Sequence, residues 1–182
     1  EEGPVVEIRP LRKRKVGILV TGTEVFQGLV DDRFIPIITA KVEAYGCPVV
    51  ATDIVPDDRE RIGGAVRDML ARGVELLITT AGLSVDPGDV TRLGLADAGV
   101  ENMRYGTPIL PGAMTLLANA GEADVIGVPA CALFFKTTSL DILLPRVLAG
   151  MSPSRRELAK LGHGGMCMQC KRCTYPKCPF GK

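Results

Sequence analysis

The sequence predicts an α/β fold: a mostly parallel sheet covered by helices on both faces, followed by a small cysteine-rich tail. Three short apolar or β-branched runs carry the first part. They are Val16-Gly17-Ile18-Leu19-Val20, Val49-Val50-Ala51-Thr52-Asp53-Ile54 and Glu75 to Thr79. Each leads through a loop into a helical pattern. Three strand–loop–helix units in succession imply right-handed crossovers and parallel pairing. The tail rests on a composition shift: four of the six cysteines crowd into the last sixteen residues.

The elements follow in order. Leu11 to Lys15 carries four basic residues and reads as a solvated lead-in to the first strand. That strand ends in Thr21-Gly22-Thr23-Glu24. A helix starts near Asp31 and Asp32, tolerates Pro36 in its first turn, and ends at Gly46. Its face is Phe34, Ile35, Ile38, Val42 and Tyr45. After the second strand, Asp57 and Glu60 have the spacing of a capping box. Ile62, Val66, Met69 and Leu70 then make a core-facing stripe at i, i+4, i+7 and i+8, closed by Gly73.

The third strand opens into Thr79-Thr80-Ala81-Gly82-Leu83-Ser84-Val85-Asp86-Pro87-Gly88-Asp89, and a short helix runs from Asp89 to Ala98. Val100 to Pro111 is turn-rich. Ala113 to Ala118 reads equally as strand or helix. Asp124 to Val128 is a buried strand stopped by Pro129, and Ala132 to Leu148 reads as one long helix bent or ended at Pro145. Residues 1–15 are therefore the lead-in, 16–150 the α/β domain, and 151–182 a linker and tail hinged at Gly162-His163-Gly164-Gly165.

Composition narrows the function. The chain has 182 residues, 46% hydrophobic and 24% charged, with a net charge of +1, no Trp and 4% aromatic residues. Stacking platforms for nucleic acid are not expected, nor is an electrostatic pull toward nucleic acid or membrane. No apolar run reaches membrane-spanning length. The start at Glu1, without a signal-like segment, suggests a domain excised from a longer chain with further domains upstream. Clustered thiols in a soluble α/β protein fit a reducing, cytoplasmic compartment. Cys47 and Cys131, isolated among apolar neighbours, read as core residues.

Ligands of open parallel sheets bind beyond the carboxyl ends of the strands. Three strand ends here carry acids or hydroxyls: Thr21 to Glu24, Asp57 with Asp58, and Thr79 to Asp89. Backbone N–H groups at such strand-to-helix turns suit anions. Acids beside a phosphate need a cation between them, and Mg²⁺ takes carboxylates together with phosphate oxygens. The plainer roles are a helix cap for Asp57, another for Asp89, a solvated turn for Glu24, and local turn bonds for Thr80 and Ser84.

Taken in order, these segments resemble the molybdopterin-binding domain shared by molybdopterin adenylyltransferases and molybdopterin molybdotransferases, which complete the molybdenum cofactor. The likeness is closer to the molybdotransferases and covers roughly Val16 to Ala149. Val16 to Val25 resembles V-G-I-x-x-T-G-D-E-L, with Thr23 at the Asp. Gly28 to Arg33 resembles G-x-I-x-D-x-N, with Asp31 kept. Ile54-Val55-Pro56-Asp57-Asp58 resembles a segment ending in two aspartates. Thr79 to Asp89 resembles T-S-G-G-x-S-x-G-x-x-D. Tyr105-Gly106-Thr107-Pro108 stands where the molybdotransferases have P-G-K-P, and Arg104 offers charge without lysine's geometry. Val128 to Phe134 departs from L-P-G-N-P-x-S-A.

The resemblance implies a three-layer α/β/α sandwich, self-association, and a cleft at the strand ends for molybdopterin or adenylylated molybdopterin. It implies Mg²⁺ and molybdate handling by Glu24, Asp57 or Asp58, and Asp89. Contacts to the ligand would come from Thr21, Gly22, Thr80, Gly82, Ser84, Asp89 and Pro129. The expected function is transfer at the terminal phosphate of molybdopterin, or molybdate insertion. The alternatives are a non-catalytic carrier or sensor of the cofactor, or a generic nucleotide-binding domain, which lacks G-x-G-x-x-G and Walker signatures here.

The tail reads Cys167-x2-Cys170-x2-Cys173-x4-Cys178-Pro179. It is one residue longer than the bacterial ferredoxin run and serves equally as a four-cysteine zinc site. So short a tail gains little by packing, whereas a structural metal contributes on the order of 10–16 kcal/mol. His163, the single histidine, reads as a loop residue that could also ligate.

Overall fold

A computed structural model describes residues 6–80, 82–83 and 90–182. Six strands form one sheet in the order β2-β1-β3-β6-β5-β4. β1 (Val16–Thr21), β2 (Val49–Val55), β3 (Leu76–Thr80) and β6 (Ala123–Val128) run parallel. β5 (Leu116–Ala120) and β4 (Glu101–Tyr105) complete the sheet antiparallel. The ambiguous 113–118 stretch thus contains the start of a strand, and the turn-rich segment contains another. β5 and β6 meet through Gly121-Glu122, where Gly121 has φ 56°. A two-residue hairpin turn with glycine in its first central position suits that backbone.

Alternation along the strands divides the core. Val16, Ile18 and Val20 pack with Leu76, Ile78 and Ile126 on one face. α2 (Phe34–Glu43) covers them through Phe34, Ile38 and Val42, and α5 (Ser139–Leu148) through Leu140, Leu144 and Val147. Leu19, Leu77 and Val125 face the other way. There they meet Ile62, Val66 and Met69 of α3 (Arg59–Ala71) and Leu95 of α4 (Thr91–Asp97). This is the three-layer α/β/α sandwich. α3 and α4 approach closely at Gly94, where a Cβ would stand 2.7 Å from Ile62 Cγ2.

Local chemistry moved several boundaries. α2 is capped by Asp32, whose Oδ1 accepts from the Phe34 N–H at 2.9 Å. At α3 the cap is Asp58, accepting from the Arg61 N–H at 2.8 Å. The Asp57 cap is therefore corrected by one residue. The expected long helix from Ala132 is two elements: a 3-10 turn, Ala130–Leu133, and α5. Thr138 starts α5 with a capping box to Asp141, and that start signal outweighs the continuous apolar pattern.

Pro145 lies inside α5 and has no N–H for the Asp141 carbonyl. The Tyr175 hydroxyl of the tail donates to that carbonyl instead, at 2.9 Å. α6 (Arg155–Lys160) begins with a second capping box, Ser154 with Glu157. The expected glycine hinge is a packed 3-10 turn, Leu161–Gly164, in which a Cβ on Gly162 would meet Pro108 at 3.0 Å. Cys47 is buried as expected, whereas Cys131 is only half-buried.

Candidate functional site

The sheet order reverses between β1 and β3: β2 lies on one side of that pair and β6 on the other. Such a switch point opens a crevice outside the carboxyl ends of the strands. Two of its walls are tied together at the end of each strand. Thr21 Oγ1 donates to the Thr80 carbonyl at 2.9 Å and lies 3.0 Å from Thr91 Oγ1. One hydroxyl has one proton, so Thr91 is the donor in the second contact. All three threonines are buried.

Thr79 Oγ1 and Thr80 Oγ1 are buried with no hydrogen-bond partner among the described residues. A buried hydroxyl without a partner costs about 1–3 kcal/mol, and these two lie on opposite faces of the sheet, Thr79 beside Leu19 and Thr80 beside Val20. Gly82 follows with φ +55°, and a Cβ there would sit 2.0 Å from Thr91 Oγ1 and 3.0 Å from Thr21 Oγ1. Only glycine fits that cradle.

The structure thus brings Thr21, Gly22, Thr80, Gly82 and Pro129 to one edge of the sheet, since Thr80 pairs with Val20 and with Val128. Ser84 and Asp89 lie outside the described residues. The acids divide. Asp57 joins the edge: its Oδ2 accepts from the Thr23 N–H at 2.9 Å and from Thr23 Oγ1 at 3.2 Å, linking the loops after β1 and β2. Asp58 is engaged as the α3 cap. Glu24 is exposed on the single turn α1 (Thr23–Phe26). Among the described residues no three His, Cys, Asp or Glu side chains gather around one ion's position.

Sequence reasoning missed three residues here. Thr91 starts α4 and closes the hydroxyl cluster; its place directly after the hydroxyl-rich loop was the available signal. Arg92 lays its guanidinium 4.3 Å from the centre of the Tyr105 ring, a cation–π contact. The Tyr105 hydroxyl donates to the Leu83 carbonyl and so ties β4 to the strand-end loop. Arg104, read as a stand-in for a phosphate-facing lysine, donates to Ser152 Oγ at 2.9 Å. Thr107, at the position of that lysine, is buried and donates to the Gly112 carbonyl at 3.3 Å.

Cys167, Cys170, Cys173 and Cys178 line a second site, a cavity of about 290 Å³ whose opposite wall includes Phe134 to Thr137. Thr137 Oγ1 lies 3.3 Å from Cys173 Sγ, and this hydrogen bond holds the thiol below its usual range.

The comparisons agree with the geometry. A family model described as a probable molybdopterin binding domain matches residues 17–149. A CinA-like protein of Mycobacterium sp. (strain JLS) is 36% identical over 77 residues, covering 42% of this chain and 18% of that protein. The chain spans about a fifth of the length of such curated relatives. Among solved structures, the Mog molybdopterin biosynthesis protein of Mycobacterium ulcerans superposes with a TM-score of 0.63 at 22% identity, over 76% of this chain and 99% of that one. The molybdopterin biosynthesis enzyme MoaB of Thermus thermophilus gives 0.62 at 21%, over 75% and 97%. At these identities the two structures speak for the fold. With the family model matched across the whole sandwich and the crevice at its switch point, the chain belongs to the molybdopterin-binding domain family.

Proposed function

We propose that the crevice beyond Thr21, Thr80 and Gly82 binds molybdopterin or adenylylated molybdopterin and acts in the completion of the molybdenum cofactor. The observation that carries this reading is the buried Thr80 hydroxyl at the switch point, which has no partner among the described residues. A phosphate or pterin acceptor offsets its cost, and the glycine cradle lets a ligand approach the backbone there. The reaction is transfer at the terminal phosphate, or molybdate insertion with loss of AMP.

Glu24, Asp57 and Asp89 are the residues that would hold Mg²⁺. Asp57 fits the role, since it is exposed at the edge and, among the described residues, engaged only through Oδ2. Bound there, the ion neutralises charge between the acids and the phosphate. The protein's own contribution is orientation: Thr21 and Thr91 fix the crevice walls, while Thr80 and Ser84 bond the ligand.

A second reading, a carrier or sensor that binds without turnover, is favoured by Thr107 and Arg104. Where the resembling molybdotransferases have a lysine, this chain has a buried threonine, and the nearby arginine is directed to Ser152. In both readings the protein works in the cytoplasm as a self-associated chain.

Anaerobic titration with adenylylated molybdopterin, Mg²⁺ and molybdate, following bound pterin and released AMP, tests both. AMP release that vanishes in Asp89→Ala supports the enzyme. Tight binding without release supports the carrier. No binding of any pterin form sinks both.

A further inference from the structure

The C-terminal tail is built around its cysteines. Its two ends are pinned to one place: the Gly181 N–H donates to the Gly164 carbonyl, and the Cys167 N–H to the Leu110 carbonyl, both at 2.8 Å. Phe180 is buried in a small cluster with Ile109 and Ile142. Tyr175 is anchored on α5. Between these anchors the chain has no helix or strand. What it encloses is the cavity of about 290 Å³, with all four tail cysteines in its wall beside Phe135 and Met168.

The cavity opens to solvent, with Cys170 and Cys173 exposed. Four thiols lining one pocket form a soft ligand set of the kind that selects zinc or iron–sulfur clusters. A zinc ion draws its four sulfurs to about 2.3 Å from one point, which leaves no cavity between them. A cubane cluster holds its four cysteines apart across its own volume. Two residues separate Cys167, Cys170 and Cys173, the spacing of three ligands of one cluster in the bacterial ferredoxin run; the fourth cysteine of that run serves a second cluster, whereas Cys178 here lines the same cavity as the other three.

We propose that Cys167, Cys170, Cys173 and Cys178 ligate a [4Fe–4S] cluster in this cavity. The proposal narrows the zinc-or-cluster reading of the tail and is independent of the pterin reading. Thr137 Oγ1, 3.3 Å from Cys173 Sγ, supplies a hydrogen bond of the kind that tunes a cluster's potential. Phe134 to Thr137 continue the segment that leaves β6 at Pro129. The cluster wall and one rim of the pterin crevice therefore belong to a single stretch of chain.

The test is metal content of the full chain, purified without oxygen and reconstituted with ferrous iron and sulfide or, separately, with zinc alone. The expected result is about four iron and four acid-labile sulfide per chain, with a paramagnetic signal on reduction. Cys170→Ser and Cys173→Ser, both at exposed positions, should lose most of the iron and all of the signal; Cys131→Ser should keep both. Tight binding of one zinc with no labile sulfide overturns the proposal. So does iron uptake that survives both serine substitutions, or a chain that takes up neither metal. The wild-type stoichiometry decides even where a variant fails to fold, and none of these readouts depends on pterin binding.

Discussion

The strand-end crevice and the cysteine cavity are both unfinished, but for opposite reasons. The crevice is framed by the most regular part of the molecule. β1 and β3 pair residue for residue, and the buried hydroxyls of Thr21 and Thr91 are fixed on the Thr80 carbonyl and on each other before any ligand arrives. The cavity is framed by chain without helix or strand, held by a few anchors at Phe180, Tyr175 and Gly164. The fold makes the first site preorganised; under the cluster proposal an occupant completes the second. Binding at the crevice should therefore change stability modestly, whereas occupancy of the tail should decide whether the tail has a structure.

That contrast can be broken at several points. The largest effect is expected at Gly82. In Gly82→Ala the new Cβ falls on Thr91 Oγ1, so the variant should lose pterin binding and about 1–3 kcal/mol of stability, read by titration and urea unfolding. On the other side, Phe180→Ala should cost about 1.5–3 kcal/mol of tail docking. It should raise protease cleavage after Lys171 and Arg172 while leaving pterin affinity unchanged. A matching loss of affinity would mean that the two regions are not separate.

Thr80→Val sharpens the comparison because it separates function from stability. The isostere removes a hydroxyl that has no partner among the described residues. Pterin affinity should fall about tenfold, while the urea midpoint holds or rises. Tyr175→Phe should do the reverse: it orphans the Asp141 carbonyl beside Pro145, costs about 1 kcal/mol, and leaves the crevice intact.

The smallest effect is one of pH, at Asp124. Burial raises its carboxyl above the usual range, against the opposing pull of Arg14, Arg12 and Arg104. The folded state thus binds this proton more tightly than the unfolded chain does. Its contribution is complete below the unfolded value and is lost as pH rises through the folded one. Asp124→Asn should flatten that decline in urea midpoints across the weakly acidic range, by less than about 1 kcal/mol.

The sheet was legible because its strands are short apolar runs that can be buried on both faces, as Val16 to Val20 and Leu76 to Ile78 are. Elements set by a single side chain were harder to read. Thr138 split an apolar stretch that periodicity read as one helix, and Asp58 took the cap assigned to Asp57. That Thr21, Thr80, Gly82 and Pro129 share one edge of the sheet could be read from the motif order. Thr91 and Tyr105 could not, since their roles come from contacts across 70 and 22 residues of chain. The tail's thiols were plain in the sequence, but the anchor between Tyr175 and the carbonyl freed by Pro145 needed three dimensions.

The hairpin of β5 and β6 carries a consequence for how the molecule assembles. It is closed by a two-residue turn, whereas the hydrogen bond that ties β1 to β3 joins residues 59 apart in sequence. Hairpins of this kind form in about 1–10 μs, while distant parallel pairings wait on the closure of long loops. β6 can thus be in place as a template before β3 and β1 arrive. The crevice at Thr21 and Thr80 is then among the last features to form, and a population able to bind pterin is one whose folding has run to completion.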